Sequence, residues 1–594
     1  LDIVTTASAL GDVMGALQTL PGTSTVDEDG RLFVRGGEAE ETQIFIDGIR
    51  VFSPYTPSAN NIPSRGRFSP FLFKGISFST GGYSAEYGQA LSSVLQLNTI
   101  DEPVEEKTDL SFMTLGLGLG NTQIWGNNSF SVNTSYINLA PYQEAFPDRN
   151  TWNKPVQSLS GEMVYRHKFK NESLLKLYGA FSYTDFDVIQ DDINYEDGLR
   201  FGLKNRNLYF NTSYKNKFGD NWRIETGFSF TNDHANIKII DDLVTDNENS
   251  MHFKVKLKKQ ISNRFKISFG SEYFMTDFDE DYTAYNSNKL QYGFNNNIFA
   301  SFAETDIFFS KNLATKIGIR AEHSELLNEF TISPRVSLAY KINKNSQFSL
   351  AYGQFYQNPK NEYLKFSQDF KAENTSHFIA NYQATKQGQI FRVEAYLKEN
   401  KNLVKYNDNT PIFNSNFNNN GTGYAKGFDV FWRQNGKIKN TDYWVSYSYL
   451  DTKRNYKNYS TAARPNFASK HNVSLVAKHW VADWKSQIGF SYNFASGRNY
   501  TNPNEAGFLN NQTKNYNSLS LNWAYLIDQQ KILYFSINNV LATQNVFGYN
   551  YKNTAEPNGN FNRQAIIPNA DRFFFVGFFW TISDNKKTNQ LDNL

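Results

Sequence analysis

Alternation of apolar and polar positions runs through the chain from about Lys107 to Ile582. In the stretch from Trp222 to Phe230, Trp222, Ile224, Thr226, Phe228 and Phe230 share one face; Arg223, Glu225, Gly227 and Ser229 share the other. From Phe265 to Met275, Phe265, Ile267, Phe269, Tyr273 and Met275 oppose Lys266, Ser268 and Glu272. From Phe391 to Lys398, Phe391, Val393, Ala395 and Leu397 oppose Arg392, Glu394, Tyr396 and Lys398. Period two is the mark of a strand with one apolar and one polar face. A soluble sandwich has the same period. Here charges recur on the polar face in mid-strand, and the texture never gives way to a second domain type, which suits a barrel with a wet interior.

The connections between strands alternate in length. Short ones fall at 169–173, 217–221, 260–264 and 343–346, and long ones lie between them, as at 186–203, 236–250, 357–373, 400–421 and 541–571. Short turns on one rim and long loops on the other characterise a transmembrane β-barrel. The last strand, Arg572 to Ile582, then runs down to the short-turn rim. Parity requires two strands within 107–127, with Gly116, Gly118 and Gly120 supplying their reversal. The expected fold is therefore an all-β membrane protein, a 22-stranded antiparallel barrel over 104–582. A polar, frayed tail is expected over 583–594. Trp523, Tyr525 and Trp580 read as aromatic girdle residues, and the Asn-rich run 414–421 as a flexible loop tip.

The first hundred residues differ. Gly11 to Leu20 reads as a short amphipathic helix, with Val13, Leu17 and Leu20 on one face and Pro21-Gly22 as its stop. Short strands follow at Arg31 to Arg35 and Gln43 to Gly48. The stretch Gly81 to Thr99, GGYSAEYGQALSSVLQLNT, closes this region with a final strand.

Four marks occur here in order: LQTLPGT, RLFVRGG, QIFIDG and the YG–small-residue–strand segment. Together they resemble the plug domain of TonB-dependent outer-membrane receptors, in the style common among Bacteroidota. Pro21, Gly22, Arg35, Gly36, Asp47, Gly48, Tyr87 and Gly88 carry the resemblance. It implies an α/β plug over 1–103 lying inside the lumen. It also implies a TonB partner with its ExbB–ExbD motor, lipopolysaccharide and outer-membrane lipid around the wall, a transported ligand, and room for a surface lipoprotein. Ser79-Thr80-Gly81-Gly82 stands where the family usually has Arg-Gly-Pro, so a plug-to-barrel contact by that arginine is not carried over. The TonB box and first plug strand are expected upstream of Leu1.

The resemblance also implies three plug apices that face the outer cavity and touch the ligand; by order they match 26–30, 37–41 and 52–65. Asp27, Glu28, Asp29, Glu38, Glu40 and Glu41 make the first two acidic; Tyr55, Asn60, Asn61, Arg65 and Arg67 equip the third for hydrogen bonding and stacking. The acidic pair reads either as a focused negative potential favouring a cationic or neutral ligand, or as ordinary solvated turns. Asp277, Asp279, Glu280 and Asp281 offer oxygen ligands for Ca²⁺ in an outer loop; a solvated acidic loop is the plainer reading, and no other cofactor is expected.

Composition narrows the rest. With no cysteine, disulfides, thiolate metal sites and thiol nucleophiles are excluded. A net charge of +2 gives no argument for nucleic acid. No run of about 18 apolar residues exists, which argues against a helical span but not against strands. The seven histidines are scattered, with no HExxH and no GxSxG, so nothing supports catalysis. The sequence thus points to an outer-membrane, TonB-dependent active importer of a scarce ligand. The alternative is a non-importing plugged barrel serving a larger assembly or surface binding; a soluble multi-domain β-protein is the third reading.

Overall fold

The computed structural model describes residues 2–584 apart from 27, 60 and 287. Twenty-two antiparallel strands close into one barrel. The closing seam joins its first strand, Lys107–Met113, to its last, Phe573–Ser583, with Ser583 opposite Lys107. Among the described residues no helix is long and apolar enough to cross a membrane.

Alternation sets which side chains meet lipid. On the strand Phe265–Thr283, Phe269 and Tyr273 are exposed outward while Glu272 is buried inward. Trp523 is likewise on the outer face, stacked on Phe535 at 5.4 Å.

Two sequence expectations are corrected at the rims. The reversal of the first pair is the two-residue turn Thr114–Leu115, since Met113 pairs with Gly116; Gly118 and Gly120 lie inside the following strand. Several of the long outer connections are strand rather than loop. Tyr195–Phe218 has 24 residues, and Asp192 still pairs with Tyr195, so this hairpin turns over only two residues. About 9–11 residues suffice to cross the bilayer, so these hairpins stand well clear of it. Their polar sequence looks like loop, but ladder hydrogen bonds carry on outside the membrane as well as within it.

The run 414–421 is also not a flexible tip. Its second half begins the strand Asn418–Asn435, Asn419 bonds Asn402 O at 2.8 Å, and Phe417 packs among Tyr363, Phe366, Phe370 and Tyr406. Composition hid one half-buried aromatic that orders the segment.

The N-terminal region forms a four-stranded sheet in the order Ile49–Val51, Thr42–Ile46, Ser93–Thr99, Phe73–Ser79, with the middle pair parallel. The helix is shorter than expected, Val13–Leu17, because Asp12 caps it by accepting from Met14 N at 3.3 Å. Val13, Met14, Leu17, Leu32, Val34, Ile44, Ile46, Leu95 and Leu97 build a core that continues into Val164, Tyr178 and Tyr209 of the wall. This shared core places the plug in the lumen.

Candidate functional site

The turns that the motif supplies are conformationally demanding. Gly22 (φ 85°), Gly36 (φ 73°) and Gly48 (φ 87°) sit in the left-handed region. Gly88 is needed for a different reason: a Cβ there would lie 2.3 Å from Arg320 Nε. The non-glycine partners Arg35 (φ 49°) and Asp47 (φ 52°) share the left-handed conformation, held by what their side chains reach. Asp47 accepts from Thr99 N at 3.1 Å and from Lys176 at 2.6 Å. Arg35 donates to Asp429 at 2.6 Å and also to Glu394, two carboxylates of the wall. These residues lock the plug.

The segment around Tyr87 is gripped from outside. Arg335 donates to Tyr87 O at 2.8 Å and to Tyr83 O, and Arg320 to Glu86 O at 3.1 Å. Arg320 is fully buried between Glu272 (2.6 Å) and Glu322 (2.8 Å). Glu86 lies between Lys254 (2.7 Å) and Lys256. Burial alone would raise the Glu86 carboxyl; the two ammonium groups instead hold it down to about 2. The arginine missing from 79–82 is thus matched by cations placed on the wall. Sequence reasoning missed these residues. Their only signal was charge on the polar face in mid-strand, and the partners lie more than 160 residues away.

The acidic apices are not a free negative field. Asp29 is tied to Arg31 (2.7 Å) and accepts from Ser64 (2.7 Å). Glu38 is buried and paired with Lys360 and Lys457, accepting also from the Tyr456 hydroxyl at 2.6 Å. Burial raises its carboxyl, but Lys360, Lys457 and Arg454 together hold it well below the usual range. Glu40 pairs with Arg31 and Lys360, and Glu41 meets the Arg454 guanidinium with both oxygens. Glu28 is half-buried within electrostatic reach of Tyr516. The reading of these turns as a cation-favouring potential is corrected on this ground: wall and loop cations neutralise Glu38, Glu40 and Glu41. Lys360 belongs to the inward-folded loop 357–373, whose Asn361–Leu364 turn also reaches Glu248 through Asn361 (3.0 Å).

The third apex divides. Arg67 is spent on the wall, bonding Asp233 (3.0 Å), Ser182 (2.6 Å) and Asn205 (3.0 Å). The Tyr55 hydroxyl accepts from Leu32 N at 3.3 Å and its ring packs on the plug core. Asn61 donates to Ile567 O of the last outer loop at 2.6 Å, and Arg65 is exposed. Asp27 and Asn60 lie outside the described residues.

The proposed calcium ligands do not converge. Strand alternation sends Glu280 inward, where it pairs with Lys365 at 2.5 Å, while Asp279 and Asp281 are exposed on the other face. Among the described residues no group of three His, Asp or Glu side chains is placed to hold a metal ion.

With this geometry in place, comparison with known proteins is decisive. Residues 106–540 match the family described as TonB dependent receptor-like, beta-barrel, and residues 4–94 match the TonB-dependent Receptor Plug Domain. The chain belongs to the TonB-dependent receptors. It is an outer-membrane β-barrel transporter of that family and not an enzyme. Receptors of this family work with TonB and ExbB/ExbD and bind a transported ligand. Compared by sequence with curated proteins, the chain matches none. Among solved structures it is similar to the outer membrane transporter YddB from Escherichia coli (12% identity, 97% of this chain and 96% of that one, TM-score 0.74). It is also similar to a mutant of the ferric enterobactin receptor PfeA from Pseudomonas aeruginosa (12%, 98% and 97%, 0.73) and to the copper transporter OprC (12%, 96% and 95%, 0.72). At such identity these likenesses speak for the fold.

Proposed function

We propose that this receptor is an energy-coupled importer that takes a scarce ligand from the outer surface and passes it inward only when the plug is moved. One observation carries the reading: the lumen is filled by a domain bound to the wall through buried ion pairs, such as Arg35 with Asp429 and Glu86 with Lys254 and Lys256. Passage therefore costs work. The outer membrane supports no ion gradient of its own, so the work comes through TonB. Pairing of the acidic apices removes a simple charge criterion for the cargo, and a surface lipoprotein partner is compatible with the tall outer hairpins.

The test begins with protein purified from its native membrane, extracted for small molecules and metal. The recovered compound, isotopically labelled, is offered to cells with and without TonB. Equal surface binding with accumulation only in the TonB-containing cells is the expected outcome. Equal accumulation in both, or none in either, would favour a plugged barrel that binds or assembles without importing.

A further inference from the structure

The wall changes chemistry on the arc formed by the strands Thr441–Asn455, His471–Val481, Ser486–Ala495, Tyr516–Asp528 and Lys531–Asn538. In its middle, Ser446 stands opposite Ser474, Ser474 opposite Asn493, and Asn493 opposite Ser518. Directly beside this row, Ser491 faces Ser520, and Asn522 faces Ser536. Strand alternation turns all of them inward. The band is made of hydroxyls and amides, flanked by buried charges: Asp442 and Lys478 toward the inner rim, Arg454 and Arg498 toward the outer.

Two further observations bear on this band, although buried unpaired atoms also occur elsewhere on the wall, as at Ser213, Thr231 and Thr375. Ser491 Oγ, Ser536 Oγ and Asn522 Oδ1 are buried without a hydrogen-bond partner, although Ser491 is 0% and Ser536 3% exposed. Buried polar groups are ordinarily paired, so unpaired ones in a row call for a partner that arrives later. A crevice of about 20 Å³, room for one water, also runs between this arc and Gln18, Leu20, Thr23 and Thr25 of the plug. The plug meets the band largely through neutral bonds from its first residues: Ser446 Oγ to Thr19 O and Gly22 N to Ser448 Oγ, both 2.8 Å, and Asn522 Nδ2 to Thr5 O at 3.0 Å; the Lys478 ammonium donates to Thr5 Oγ1 at 2.8 Å.

We propose that the ligand's passage runs along this arc, between the wall and plug residues 2–25, and that it accepts a hydroxyl- or amide-rich solute held by hydrogen bonds rather than by ion pairs. The inference rests on the importer reading. Parting the plug from the band frees neutral groups and the Lys478 bond to Thr5, with water or ligand to replace them, whereas parting it from Lys254, Asp429 or Arg454 breaks buried ion pairs with Glu86, Arg35 and Glu41. A neutral lining with many weak partners also lets a solute enter and leave, where a buried charge would hold it.

The chain has no native cysteine, so single introduced thiols report without background. Full-length Ser491→Cys, Ser520→Cys and Ser333→Cys are placed in the outer membrane of cells with and without TonB. Ser333 is the matched control: 1% exposed, inward, and opposite Arg320. The probes are a cationic and an anionic methanethiosulfonate reagent of similar size. We expect TonB to speed labelling of Ser491→Cys and Ser520→Cys by ~10-fold or more, as local opening requires, and to leave Ser333→Cys unchanged. The two reagents should then react at rates within about threefold of one another, since no charge in the band selects between them. Acceleration at Ser333→Cys alone, or equally at all three, overturns the arc while leaving the importer intact. No TonB response at any position overturns the importer and the arc with it. A strong preference for one reagent charge overturns the assigned ligand class.

Discussion

The two arcs of the wall hold one plug by opposite means. From Lys176 round to Arg454, inward cations and carboxylates close on plug groups: Lys176 on Asp47, Lys254 and Lys256 on Glu86, Asp429 on Arg35, Arg454 on Glu41. At the mid-strand inward positions from Ser446 to Ser536, the facing groups are mostly hydroxyls and amides, several of them unpaired, with Lys478 beside them on Thr5 and Arg454 at the outer end of the strand that carries Ser446. Stability and mobility are thus assigned to different sectors of the same barrel. Buried ion pairs add little over well-packed apolar groups, yet breaking one is expensive because the survivor stays charged in a poor solvent. An anchor of that kind resists partial opening; a seam of neutral bonds does not.

The contrast is broken most severely at Arg320. Arg320→Met leaves Glu322 buried without its cation and Glu272 with Lys254 at 3.4 Å, and should cost the plug roughly 3–5 kcal/mol, read as an earlier urea midpoint and faster tryptic release of the plug in detergent. A loss below about 1 kcal/mol would mean that the ionic arc does not anchor.

Acid should act on the same arc. The folded Glu86 carboxyl is depressed to about 2, against an ordinary value of 4.5. Its contribution is complete above about pH 4.5 and fades as pH falls toward 2, an effect of about 3 kcal/mol for a shift of this size. Plug unfolding followed by urea at stepped pH should show this slope, and Glu86→Gln should flatten it.

A steric variant is expected to be milder. Gly88→Ala forces a methyl into the Arg320 guanidinium, and overpacking of this kind costs about 1–3 kcal/mol, again measured on plug release. Smallest of all, Ser491→Ala removes a buried hydroxyl that has no partner. Plug stability should change by no more than about 0.5 kcal/mol, with any shift toward greater stability. A large loss there would show that the seam is a second anchor, and the contrast would disappear.

Much of the architecture was legible because it rests on local pattern. Period-two alternation located the wall, and the parity of its connections fixed the pair hidden in 107–127, where the strands Lys107–Met113 and Gly116–Trp125 stand. The motif also marked real backbone demands at Gly22, Gly36 and Gly48. The site was far less legible. Glu38 and Glu41 look like solvated turn residues until Lys360, Lys457 and Arg454 arrive from more than 300 positions away. Phe417 is invisible as a core residue inside an asparagine run, because what buries it is a cluster assembled from three separate outer segments. Local sequence states which face a side chain takes; it does not state what comes to meet it.

Long sequence separation has a further consequence, for biogenesis. Arg35 finds Asp429 across 394 positions, Gly22 finds Ser448 across 426, and the cylinder is sealed only when Phe573–Ser583 pairs with Lys107–Met113. Contacts this distant form slowly, since the chain between them must be ordered first. The N-terminal domain, although synthesised before the barrel, reaches its final seat only after most of the cylinder exists to receive it.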